Sequence, residues 1–152
     1  MKYEVVQLGE KKVAGIRIRT GNGDADMSSQ IGMAWQRFFE EGIHASILNR
    51  VNDRTMGLYT NYENGIHGKY DVMVCCEIED EDQLGKVVET ETIPKGKYAK
   101  FVIHGHVQRA VQAFWTELWK MDLDRKYSCD FEEYQGGDDM EHAEIHVYIS
   151  LN

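Results

Sequence analysis

Two stretches of this sequence follow the same plan, and a chain that repeats itself is confined to folds that repeat themselves. Residues 5–42 and 88–122 each open on an extended apolar stretch. A turn follows, Gly9-Glu10-Lys11-Lys12 in the first and Pro94-Lys95-Gly96-Lys97 in the second. Then comes a short β-like run around an alanine, Val13-Ala14-Gly15-Ile16 or Tyr98-Ala99-Lys100-Phe101. An amphipathic segment with an aromatic core is next, built on Trp35, Phe38 and Phe39 or on Phe114, Trp115 and Leu118. Further on, residues 57–62 align with 129–134, and residues 70–75 with 143–148. A duplicated unit predicts a pseudo-twofold fold with a cleft at its axis.

Local patterns fill in the elements. Residues 2–8 and 12–19 read as strands joined by a tight turn. In the second, Val13, Ile16 and Ile18 are apolar while Arg17 and Arg19 are not, which predicts one wet face. Residues 20–26 are a loop in which Asp24 or Asp26 is placed to cap the next helix. Apolar residues then fall at 27, 31, 34, 35, 38 and 39, which is helical spacing, with Gly42 as terminator. Residues 57–62 and 70–78 form a hairpin around the loop 63–68, and the acidic run 79–83 is a solvated linker. The second half repeats the order, with strands near 88–93 and 97–103, a helix over about 106–120, and strands near 129–134 and 143–151 around the turn 135–139. The prediction is a single α+β domain over 1–152: a duplicated β-α-β-β unit (repeat 1 about 1–78, repeat 2 about 88–152) forming an antiparallel sheet with two helices and a pseudo-twofold ligand cleft.

The bulk numbers exclude several classes. At 152 residues and 42% apolar, the chain has enough material for a folded core. A formal charge of −9 makes it a poor nucleic-acid binder by itself, because phosphate contacts need a basic face. No apolar run approaches the roughly 20 residues of a membrane helix, and charged Lys2 and Glu4 do not open a signal peptide. Three cysteines, two of them the adjacent Cys75 and Cys76, fit reduced thiols in the cytoplasm. Cys75-Cys76 lacks the spacer of a zinc or redox pair. His104 and His106 alternate across a strand end and suit the start of the following helix or solvent better than a metal. No phosphate-binding glycine loop or nucleophile elbow is present, and no metal or cofactor is expected.

What remains is a set of large aromatics with a few acids among apolar strands. Trp35, Tyr59, Trp115, Tyr134 and Tyr148 are expected to line the cleft, with Glu144, and after it Asp71, pointing in. Tyr62, Tyr70 and Tyr98 complete the aromatic set. The competing reading of each ring is core packing, and of each acid a solvent-facing strand position. Rings around one carboxylate suit a lipophilic cation. Each ring face contributes roughly 0.5–2 kcal/mol, and a carboxylate about 4 Å away adds a few kcal/mol at an effective dielectric near 20.

Ile93-Pro-Lys-Gly-Lys-Tyr-Ala-Lys-Phe101, a helix with Phe114-Trp115, Asp130-Phe-Glu-Glu-Tyr134 and Glu144-Ile-His-Val-Tyr-Ile149 resemble, in that order, the GyrI-like effector-binding domain. The resemblance covers essentially the whole chain and is closest to the stand-alone branch that includes integron-cassette effector-binding proteins. It implies a duplicated β-α-β-β unit with a ligand cleft, and binding of amphipathic, often cationic, small molecules by an acid deep in an aromatic pocket. Glu144 is the position taken to match that acid. Many relatives carry a helix-turn-helix domain as well. None precedes Met1 here, so gene regulation is expected to need a separate DNA-binding or target partner. Two alternatives come with the family: hydrolysis of strained rings, in which Glu144 would be the general base, and a protein-interaction module working through an exposed apolar patch.

Overall fold

The computed structural model describes the chain except Ile66, Asp82, Gln83, Lys86, Val87, Gly137 and Asp138. Parts of the expected acidic linker and of both hairpin loops therefore lie outside the described residues. The elements are β1 (Glu4–Leu8), β2 (Lys11–Gly21), α1 (Met27–Glu40), α2 (Ile43–Ser46), β3 (Thr55–Thr60), β4 (Lys69–Ile78), β5 (Glu89–Ile93), β6 (Gly96–Gly105), α3 (Val107–Leu118), β7 (Cys129–Tyr134) and β8 (Ala143–Ser150). Beyond the two expected helices, the chain makes the single turn α2 after Gly42, whose φ of 72° ends α1 in the left-handed region.

All eight strands form one antiparallel sheet in the order β1-β6-β8-β7-β3-β4-β2-β5. Exchanging the halves, so that β1 becomes β5, β2 becomes β6, β3 becomes β7 and β4 becomes β8, gives the same order read backwards. The duplication is therefore a pseudo-twofold axis, which passes between the two central strands. The hairpins β3–β4 and β7–β8 pair as expected.

The first strands do not. Instead of folding back on β2, β1 pairs with β6, and β5 pairs with β2. In both ladders the partner of residue i is residue 104 − i. Residues 4–15 and 89–100 thus form one continuous antiparallel ribbon, with Gly9-Glu10 passing opposite Pro94-Lys95. Each half lends its first strand to the other, and the two ends of the strand order meet in this ribbon. A sheet closed on itself in this way must coil tightly. Gly15 marks the tightness, since a Cβ there would stand 2.0 Å from the Val74 carbonyl oxygen.

Closure gives the sheet two buried faces. Met56, Leu58, Met73, Cys75, Phe131 and Tyr148 fill the inner one. On the outer face, α1 packs Ala34 and Phe38 over Ile16, Val74 and Cys76, and α3 packs Phe114 and Leu118 over Phe101, Val147 and Ile149. This is why Val13 and Ala14 are both fully buried although they point opposite ways. The wet face expected for β2 begins at Arg17, beyond the last β5 pair.

Candidate functional site

Helix α1 lies on β2 and β4, and helix α3 on β6 and β8. Between them, among the described residues, no helix packs on the outer face of the central strands β3 and β7. The two helices flank this strip of sheet, and the groove between them has β3 and β7 as its floor. Period-2 alternation puts Gly57 and Tyr59 of β3, and Asp130, Glu132 and Tyr134 of β7, on this floor. Helical spacing turns Trp35 of α1 and Trp115 of α3 toward it.

At the centre is Glu132, only 2% exposed. Its Oε2 accepts hydrogen bonds from the Trp115 indole Nε1 at 2.7 Å and the Tyr59 hydroxyl at 3.1 Å. Its Oε1 accepts from the Tyr134 hydroxyl at 3.0 Å. Trp115 packs edge-on to Tyr59 with centroids 5.2 Å apart, and Trp35 edge-on to Tyr134 at 5.1 Å. All four rings are half-buried. Phe39, 51% exposed, stacks on Trp35 at the rim.

The electrostatics are unusual for a buried acid. All three donors to Glu132 are neutral, and no Lys, Arg or His pairs with it among the described residues. Burial raises its pKa, and the bonds from Trp115, Tyr134 and Tyr59 oppose that rise without cancelling it. Burial, and then the charge of Glu132, push the Tyr59 and Tyr134 phenols well above their ordinary value. Two residues back on the same face, Asp130 shows the opposite solution. Fully buried, it holds Arg125 at 2.8 Å, the Tyr62 hydroxyl at 2.6 Å, and the backbone N–H and hydroxyl of Ser150. Asp130 is neutralised within the fold; Glu132 is hydrogen-bonded but not neutralised.

Four of the residues singled out in the sequence meet here: Trp35, Tyr59, Trp115 and Tyr134. Three do not, because they stand on the other face of the sheet. Tyr148 stacks on Phe131 at 4.7 Å in the inner core. Asp71 accepts from Arg17, Arg19 and Asn61. Glu144, expected to point into the cleft, is exposed and lies between His104 at 3.3 Å and His146 at 2.7 Å, which hold its pKa low. Of the two histidines expected at the start of α3, His106 caps the helix, its Nδ1 accepting from the N–H groups of Gln108 and Arg109. Asp26 occupies the corresponding position of α1 without making a side-chain cap and instead accepts from Gln30.

The sequence pattern does not single out Glu132, although Asp130-Phe-Glu-Glu-Tyr134 contains it, and the cause is register. Aligning 57–62 with 129–134 pairs Tyr62 with Tyr134. The structure pairs Trp35 with Trp115 through matching positions in α1 and α3, and each meets the tyrosine of the opposite half. Tyr59 is therefore the twin of Tyr134, three residues from the sequence alignment, and Gly57 is the twin of Glu132. Matching the tryptophans first and then the tyrosines finds the acid. The equivalence of Asp71 with Glu144 stands: Asp71 lies opposite Arg19, as Glu144 lies opposite His104.

Comparison with known proteins agrees with this architecture. Residues 4–151 match the family model of the integron-associated effector binding proteins, Cass2. A putative transcriptional regulator protein of Bacillus subtilis, YobU, is 27% identical over 97% of this chain and 96% of its own length. An integron cassette protein from the mobile metagenome of Vibrio cholerae superposes with a TM-score of 0.78 at 26% identity, covering 99% of this chain and 95% of that one. The structure of SAV2435 bound to tetraphenylphosphonium superposes with a TM-score of 0.81 at 25% identity, covering 100% and 94%.

Proposed function

This chain belongs to the integron-associated effector binding protein family, and from that premise we propose that it binds lipophilic, aryl-bearing cations in the groove between α1 and α3, with Glu132 as the counter-charge. The observation that carries the reading is a buried carboxylate with neutral donors and no cationic partner among the described residues, walled by four half-buried rings. Such a carboxylate is costly in the empty protein. A bound cation restores the missing charge partner, and ring faces turned to the groove attract the same charge. Tetraphenylphosphonium, the ligand of the SAV2435 structure, has this chemistry. Binding of this kind suits sensing or sequestration.

The test is isothermal titration of the chain with tetraphenylphosphonium and with neutral triphenylphosphine oxide, backed by thermal shift. At 100 times its dissociation constant a ligand adds about 2.7 kcal/mol to stability. Saturable binding of the cation with a clear preference over the neutral analogue supports the reading. Absence of that preference removes it.

A further inference from the structure

Gly57 and Glu132 stand directly opposite each other in the β3–β7 ladder, and they are twins under the pseudo-twofold. The axis therefore passes between them, and a strictly repeated sequence would place the same side chain twice at one point. A Cβ on Gly57 would lie 2.9 Å from Oε1 of Glu132 and 3.7 Å from Cζ2 of Trp35. The first distance is shorter than a methyl group tolerates. The carboxylate thus occupies the space that the missing side chain leaves free. That space lets Oε1 reach the Tyr134 hydroxyl while Oε2 reaches Tyr59 and Trp115.

We propose that Gly57 is a positioning and specificity-determining residue of the groove: its lack of a side chain lets one carboxylate lie across the pseudo-axis, bonded to both tyrosines, where an entering cation meets it. The inference rests on the reading of the groove as a cation site. A methyl group at 57 pushes Oε1 off the Tyr134 hydroxyl and turns the carboxylate away from the axis. The four rings stay in place. The loss therefore falls on the charge of the ligand rather than on its shape.

The experiment is titration of wild type, Gly57→Ala, Glu132→Asp and the double variant with tetraphenylphosphonium and triphenylphosphine oxide. Gly57→Ala is expected to weaken the cation about tenfold, equivalent to one charge-assisted hydrogen bond, and the neutral compound by less than about twofold. Aspartate is one methylene shorter and withdraws from the added methyl group. In the Glu132→Asp background, Gly57→Ala should therefore cost less than about twofold, a non-additive cycle that simple crowding of the floor would not give. Equal losses for both compounds, an additive cycle, or unchanged cation binding by Gly57→Ala overturns the proposal. If Gly57→Ala fails to fold, a folded double variant supports the clash with Glu132 as the cause, and an unfolded one overturns it. Wild type that does not prefer the cation refutes the underlying reading instead, and is told apart by that control.

Discussion

Glu132→Gln separates charge from shape in this groove. The amide is nearly isosteric with the carboxylate, and the site can receive it. Its oxygen can accept from Trp115 and Tyr59, while its nitrogen donates to the Tyr134 hydroxyl, which rotates to accept. What disappears is the negative charge. A unit charge about 4 Å from a bound cation is worth about 4 kcal/mol at an effective dielectric of 20. Desolvating both groups returns part of this, so the net loss is about 1–3 kcal/mol, or roughly 5- to 150-fold in affinity. Stability moves the other way. Burial raises the Glu132 pKa above its unfolded value. As pH rises from that unfolded value through the raised one, the folded state holds the proton longer than the unfolded state, and stability falls. Every tenfold gap between the two acid dissociation constants costs about 1.36 kcal/mol once both states are ionised. At pH values below the unfolded pKa the penalty is absent. The Gln variant lacks this titration, so at neutral pH it should be at least as stable as wild type. Cation affinity of wild type should rise with pH through the raised pKa, with proton release on binding. The variant should show neither effect. Calorimetry in buffers of different ionisation enthalpy, with urea unfolding across pH, reads all of this. Unchanged cation affinity, equal loss of the neutral analogue, or a variant destabilised by more than about 1 kcal/mol would refute the reasoning.

Three further outcomes are expected. Asp130→Ala leaves the buried Arg125 guanidinium without its carboxylate partner and should cost about 3–5 kcal/mol in urea unfolding; a loss under about 1 kcal/mol would show that the network does not hold the fold together. Gly15→Ala drives a methyl group into the Val74 carbonyl and should cost at least about 2–3 kcal/mol, while leaving the groove's preference for cations intact in whatever fraction folds. Glu144→Gln, on the opposite face from the groove and between two histidines, should leave tetraphenylphosphonium affinity unchanged; a selective loss for the cation would return Glu144 to the site.

Much of this protein is legible along the chain, because much of it is local. Apolar spacing at 27–39 and 107–118 is a property of single helices, and it places α1 and α3 within a residue or two of their observed ends. The loops after β3 and β7 announce hairpins for the same reason. The duplication, read from order alone, already implies the twofold and the groove on its axis. What the sequence leaves open lies between elements. That β1 crosses to β6 rather than folding back on β2 depends on a ribbon whose partners are 74 to 96 residues apart in sequence, and a two-residue link such as Gly9-Glu10 serves either course. The acid is decided the same way. Asp130-Phe131-Glu132 in β7 and Glu144 to Ser150 in β8 alternate polar with apolar residues, so each strand shows two faces without saying which one meets the groove. A slip of one position exchanges the faces, and a three-residue slip in aligning the halves sets Glu132 against Thr60 instead of Gly57. Tertiary register alone puts Glu144 on the opposite face beside His104 and Glu132 under the two tryptophans, because only there do ladder pairing and helix packing fix the same side of the sheet at once.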